Sequence, residues 1–211
     1  MRLTKLTHAC VRLKKDDRTL VLDPGKLTRE ADALDGADAI LITHEHLDHL
    51  DVDRMHAVMS ERPGLEIYTC RAVADQLSGL RTRVLGDGDA VTIAGFEVAV
   101  IGQKHEVIHP DVPPIENIGF FVDDTVFHPG DAFTVPGRPV PTLLVPTNAP
   151  WMKNTEMIGY LREVAPERAY SVHDGLVNDI GLQIIDGNLG GEGKQQGKDF
   201  RRLAAGESLD L

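Results

Sequence analysis

Four metal-seeking donors crowd into six consecutive residues, His44-Glu45-His46-Leu47-Asp48-His49. His44 and His46 are one residue apart, so in extended backbone their imidazoles project to the same side and can reach one ion. Asp48 and His49 come next at the approach to a helix, where a carboxylate is favoured electrostatically, and the two can serve a second ion nearby. Glu45, between two such donors, points away. A solvated loop or a pH-sensing patch would also gather histidines, but four donors at this spacing favour a metal centre. The flanks set the local architecture. Ala39-Ile40-Leu41-Ile42 reads as a buried strand, and Asp51 to Met59 carries apolar residues at helical spacing, with acidic residues in its first turn and Pro63-Gly64 as its stop. The motif therefore closes a strand and leads into a helix.

Elsewhere the chain alternates between two textures. Thr4 to Thr7, Cys10 to Leu13 and Thr19 to Leu22 read as strands, the last two joined by the polar turn Lys14 to Arg18 and closed by Asp23-Pro24-Gly25. Leu65 to Thr69 and Ala72 to Leu80 form a second strand-helix step, the unit of layered α/β architecture. Arg83 to Leu85, Ala90 to Ile93, Phe96 to Ile101, Ile118 to Val122 and Thr125 to His128 are short strands with Gly-Asp, Ala-Gly and Asp-Asp turns between them, a β-meander. Thr142 to Val145 is another strand. A helix is expected over Thr155 to Val164, with Asn154 as N-cap and Pro166 as terminator, and a late strand, Arg168 to Val172, ends on His173. Residues 187–197, rich in Gly, Lys and Gln, have little to bury and read as a mobile loop. With 211 residues, 42% of them hydrophobic, residues 1–211 read as one domain.

Composition narrows the partners. No apolar stretch approaches the roughly 20 residues that span a bilayer, and the first residues have no signal-like core, so a cytoplasmic protein without membrane contact is expected. A net charge of −11 disfavours nucleic acid and anionic lipid, since both call for a basic patch. The two cysteines, Cys10 and Cys70, lie in apolar strand-like segments without zinc-finger spacing and read as buried thiols. A small-molecule substrate is the expected partner, and self-association into a homo-oligomer is left open.

The run His44, His46, Asp48, His49 at the end of a strand matches the HxHxDH signature of the metallo-β-lactamase superfamily, which the sequence resembles over roughly residues 1 to 185. The resemblance implies the four-layer αββα sandwich of that fold, an α/β architecture. It also implies further ligands. In His105-Glu106-Val107-Ile108-His109, His105 would be the third histidine of the first metal, with His109 as the alternative. Asp131 in Phe127-His128-Pro129-Gly130-Asp131 would bridge the metals. His173, closing Tyr170-Ser171-Val172-His173, would complete the second site. The segments Thr7-His8-Ala9-Cys10 and Leu22-Asp23-Pro24-Gly25 most resemble the branch of small hydrolases that includes the ascorbate-6-phosphate lactonase. Flavodiiron redox enzymes resemble HxExDH instead, with a carboxylate where this chain has His46.

Such a centre lowers the pKa of bound water from about 15.7 toward about 7, giving hydroxide at neutral pH without a strong base. Hydrolysis of a small ester, lactone or phosphoester is therefore expected, with Asp48 as the catalytic carboxylate that orients the water and receives its proton. A catalytically inactive metal- or ligand-binding protein of the same fold and an RNA-processing nuclease are the alternatives. Histidine and carboxylate donors suit two zinc ions best, with manganese, iron and nickel compatible. Trp151, the only tryptophan, stands beside Lys153 in a loop after a strand; Trp151 could cover an apolar part of a substrate and Lys153 meet an anionic one. His8 is a further substrate-facing candidate, and Asp23 a candidate for orienting a ligand histidine from behind.

Overall fold

The computed structural model describes residues 1–211, the whole chain. In chain order the first half comprises β1 (Arg2–Lys5), β2 (Val11–Lys15), β3 (Arg18–Leu22), β4 (Ala39–Ile42), α1 (Val52–Glu61), β5 (Ile67–Thr69), α2 (Arg71–Gln76) and β6 (Thr82–Val84). The second half comprises β7 (Ala90–Ile93), β8 (Phe96–Ile101), β9 (Gly119–Val122), β10 (Val126–His128), β11 (Thr142–Pro146), α3 (Asn154–Val164), β12 (Arg168–Val172), α4 (Asp179–Gln196), β13 (Asp199–Arg201) and β14 (Ser208–Asp210). These strands form two seven-stranded mixed sheets, ordered β14-β1-β2-β3-β4-β5-β6 and β13-β12-β11-β10-β9-β8-β7. No helix is long and apolar enough to cross a membrane.

The sheets stack through the period-two alternation of their strands. In β9, Phe120 and Val122 face the large core shared with Leu13, Ile40 and Ile67 of the first sheet, whereas Phe121 faces the opposite way. In β11, Leu144 joins the shared core while Leu143 and Val145 pack with Met157 and Leu161 of α3 and Leu189 of α4. Met55 and Met59 of α1 and Val73 of α2 belong to the shared cluster from the first sheet's side. Helix, sheet, sheet, helix is the resulting order, the expected sandwich.

Two expectations need correction. The meander begins at β7: β6 pairs in parallel with β5, at the edge of the first sheet, because its strand-helix-strand connection through α2 returns it beside β5. Residues 187–196 are helical, part of α4, and the expected mobile loop is absent. Asn178 caps this helix by accepting from the Gly181 N–H at 3.0 Å, and Gly197 ends it in the left-handed conformation, φ 66°. Ile185 and Leu189 are buried, and Arg162 of α3 holds Glu192 with two hydrogen bonds of 2.8 and 2.9 Å. Gly193 is there for close approach, since a Cβ would stand 2.9 Å from the Lys198 carbonyl oxygen and 3.0 Å from Phe200 Cβ. This glycine, which reads as a linker residue in the sequence, serves here to lay a helix against a strand.

Candidate metal centre

Strand direction brings the site together. β3, β4, β5 and β6 are mutually parallel, and β1 runs with them because it is antiparallel to β2, itself antiparallel to β3. In the second sheet β10, β11 and β12 are parallel, and β8 runs with β10 through two antiparallel pairings. The carboxyl ends of each set therefore share one edge. His8 follows β1, Asp23 follows β3, the His44 to His49 run follows β4, His105 follows β8, Asp131 follows β10 and His173 follows β12. His8, Asp23 and His173 all adopt positive φ (63°, 47° and 61°), a left-handed conformation that costs non-glycine residues of order 1 kcal/mol each. These turns aim the side chains across the edge instead of along it.

Two donor groups result, each with its ligand atoms within 4.8 Å of one another: His44, His46, His105 and Asp131 in one, His8, Asp48, His49 and His173 in the other. Asp131 touches both. Its Oδ1 lies 3.1 Å from His49 Nε2, and its Oδ2 lies 3.4 Å from His105 Nε2 and 3.1 Å from His173 Nε2. Asp48 Oδ2 lies 3.2 Å from His173 Nε2. His44 Nε2 and His46 Nδ1 are 3.2 Å apart, as their spacing in extended chain predicts.

The fit of this cluster to metal ions rests on its unpartnered atoms. His49 Nε2, His105 Nε2, His173 Nε2 and Asp131 Oδ1 are buried and have no aligned hydrogen bond, a condition that interiors rarely tolerate without an ion or water to accept it. The opposite nitrogens are anchored. His49 Nδ1 meets Asp23 Oδ2 at 2.8 Å, His105 Nδ1 donates to the Glu106 carbonyl at 2.6 Å, and His173 Nδ1 donates to the Asn148 carbonyl at 2.5 Å. A carbonyl only accepts, so His105 and His173 carry their proton on Nδ1, leaving Nε2 directed at the cluster.

Electrostatics point the same way. Burial opposes a charge on His49 and His173, yet Asp131 and its neighbours outweigh it, holding His49 well above the ordinary imidazole range and raising His173 to about 9. Burial likewise opposes ionisation of Asp48 and Asp131, but the surrounding histidines prevail and hold both well below the usual carboxylate range. His44, with burial dominant and the charge on His49 adding to it, is pushed well below. Two carboxylates thus demand positive charge at one point, which a divalent cation would supply in place of imidazolium protons.

The remaining candidates are distributed unevenly. His8 is wholly buried; its Nδ1 accepts the Gly175 N–H at 3.1 Å, so its Nε2 carries the proton and donates to Asp48 Oδ2 at 3.0 Å. It supports a carboxylate instead of facing a substrate, a correction that follows from its left-handed turn into the interior. Trp151 does reach the centre, its Nε1 donating to Asp131 Oδ2 at 3.0 Å and its ring standing edge-on to His105. Lys153 is exposed at the start of α3, where its backbone N–H donates to Glu156 at 2.6 Å, and its side chain makes no hydrogen bond with the cluster. Asp23 accepts from the Thr43 N–H and hydroxyl, both at 2.8 Å, and pairs with His49 and with His128 Nε2 at 2.7 Å. Glu45 faces away, accepting from Gln76 at 2.6 Å.

His109 lies outside both groups, with 63% of its side chain exposed. His105→Ala should therefore lower bound metal by about one equivalent while His109→Ala leaves it unchanged, as read by elemental analysis. The reverse result would remove His105 from the ligand set. The sequence did not mark Thr43 or Asn117, and it gave His128 no role. Asn117, fully buried, accepts the Asp131 N–H at 3.0 Å and donates to the Pro129 carbonyl at 2.8 Å, so it fixes the turn that presents Asp131. No local signal distinguishes it from any other loop asparagine.

The chain is similar to known proteins in both sequence and fold. The Beta-lactamase superfamily domain matches residues 2–173. The protein Rv0786c of Mycobacterium tuberculosis is 41% identical over 194 residues, covering 90% of this chain and 91% of that one. A UPF0173 metal-dependent hydrolase of Aeropyrum pernix is 37% identical over 79 residues, 35% of this chain and 31% of its own. Among solved structures, one from Parabacteroides distasonis superposes with a TM-score of 0.77 at 24% identity, covering 96% of this chain and 92% of the other.

Proposed function

Because this chain belongs to the beta-lactamase superfamily, we propose that it is a metal-dependent hydrolase holding two divalent ions, zinc foremost, and cleaving a small ester, lactone or phosphoester with water. His44, His46 and His105 would hold one ion, Asp48, His49 and His173 the other, with Asp131 between them. The observation that carries the reading is the set of buried, unpartnered atoms on His49, His105, His173 and Asp131, gathered where six strands end. The description of the Aeropyrum relative as a metal-dependent hydrolase supports it. The likeness of the Thr7 to Cys10 and Leu22 to Gly25 segments to the lactonase branch makes lactones the first substrates to try.

Bound ions would polarise the substrate oxygen and make hydroxide available near neutral pH. The chain's own residues do the rest. Of the three carboxylates at the centre Asp48 is the most open to solvent, its side chain 18% exposed against 4% for Asp131 and none for Asp23. Asp48 is thus the group that can orient the attacking water. His8 Nε2–H, donating to Asp48 Oδ2 at 3.0 Å, holds this carboxylate in place, and Asp48 would take the water's proton and deliver it to the departing oxygen as the bond to the carbonyl or phosphoryl centre breaks. Trp151, bonded to Asp131, closes one side of the site.

Elemental analysis of purified protein, with turnover of lactone, ester and phosphodiester substrates with and without chelator, tests this reading. Two metals per chain and turnover that chelator abolishes and added metal restores are expected. Bound metal without turnover would leave a binding protein, and protein that takes up no metal would overturn the proposal.

A further inference from the structure

Exposed apolar side chains scattered singly are ordinary, but several gathered beside a cavity mark a place where a ligand or partner can bind. Eight large ones are exposed in this chain, and four of these, Leu47, Val107, Ile108 and Val112, occupy the two loops that carry His46 and His105. Between those loops lies a cavity of about 40 Å³ whose floor is His46 and His105 and whose walls include Ile108, Val112, Pro113, Pro114 and Ile115. No lysine or arginine lines it. Its one carboxylate, Glu106, is occupied in accepting the Phe133 N–H at 2.9 Å. The wall is preformed: the His105 N–H donates to the Ile115 carbonyl at 3.1 Å, the Glu106 N–H to the Asp131 carbonyl at 2.9 Å, and two consecutive prolines stiffen the return.

We infer that this pocket receives the apolar acyl chain of the substrate, so that the preferred substrates are neutral acyl esters or acyl-bearing lactones and not phosphorylated ones. The inference rests on the hydrolase reading, since the pocket adjoins the histidines proposed to hold the metal that engages the reacting carbonyl. A phosphate or carboxylate placed among these walls would meet apolar side chains and the Glu106 carboxylate, with no lysine or arginine to offset either. The cavity holds little more than one water's share of liquid volume, about 30 Å³, so the first one or two carbons fill it. A longer chain then continues over the flanking Val107 and Leu47 side chains.

Two series test it on the metal-loaded protein. Alkanols from ethanol to octanol, followed by emission of Trp151, whose ring lies 5.7 Å from that of His105, should bind about two- to fourfold tighter per added methylene over the first several carbons. Esters from acetate to octanoate should show kcat/KM rising by the same ratio, through KM. Ile108→Asp and Val112→Asp, at positions 44% exposed in each case, should flatten both slopes while the melting temperature stays put. A flat alkanol series in the wild type, a slope that survives in both variants, or preference for phosphorylated over acyl substrates would overturn the inference. Alkanol binding with the expected slope but no ester turnover would instead sink the hydrolase reading and leave the pocket standing.

Discussion

Asp48→Asn should reduce kcat by about 10²- to 10⁴-fold, the range over which a positioned acid-base group acts, while the protein keeps its fold. Asp48 Oδ2 receives the His8 Nε2–H at 3.0 Å and lies 3.2 Å from His173 Nε2, and Asp48 is the centre's most solvent-exposed carboxylate. An asparagine oxygen can still accept from His8, which preserves the loop. What it loses is the charge that draws water and the ability to take a proton. The measurement is a steady-state rate on whichever lactone or ester proves active, with metal content determined on the same sample and held saturating. A variant that turns over at the wild-type rate with full metal would remove Asp48 from the chemistry. A variant that loses metal but regains the full rate at high metal would make it a ligand alone.

Gly25→Ala should destabilise the protein by about 3 kcal/mol, the upper end of overpacking costs, and weaken metal binding at least tenfold. A Cβ on Gly25 would lie 2.1 Å from both the carbonyl carbon and oxygen of Asp48 and 2.4 Å from the His49 nitrogen. No side chain can yield there, because the obstruction is the backbone of the ligand loop itself. That loop is pinned on the same side by the Lys26 N–H, which donates to the Leu47 carbonyl at 2.8 Å. Either the loop moves, and Asp48 and His49 with it, or β3 and its following turn do. Thermal melts should show a midpoint lower by roughly 6 to 12 °C at this chain length, and metal titration should show the weaker binding. Gly64→Ala, where an added Cβ meets nothing within 4 Å, serves as the neutral control. A Gly25→Ala protein that melts and binds metal like the wild type would show that the ligand loop is slack.

The two substitutions probe parts of the molecule that were unequally visible in the sequence. His44, His46, Asp48 and His49 lie within six residues of one another, and extended backbone alone puts the first two imidazoles on one side. Several elements were legible for equally local reasons. Alternation or an uninterrupted apolar run marks β4, β7, β8 and β12 at the bounds the structure gives, because a strand's side-chain period is a property of its own backbone. The dependence of α4 on Gly193 was not legible, because composition cannot say that Phe200 and the Lys198 carbonyl will stand against that glycine. The assignment of β6 to the first sheet failed similarly, since pairing partners are chosen by the whole sheet. Asn117 went unmarked and His128 was given no role because their roles exist only opposite Asp131 and Asp23, each more than ten residues away.

What the sequence determined by itself is therefore the chemistry of the candidate centre: imidazole and carboxylate donors, placed at the end of a buried strand. Tertiary structure decided the geometry. Strand direction in two sheets put His105, Asp131 and His173 at the edge where β4 ends, left-handed turns at His8, Asp23 and His173 aimed their side chains across it, and carbonyl acceptors set the proton positions on His105 and His173. Donor identity is carried by each residue alone, whereas convergence and tautomer depend on partners brought from distant parts of the chain. That is why the first could be read along the sequence and the second only in the folded molecule.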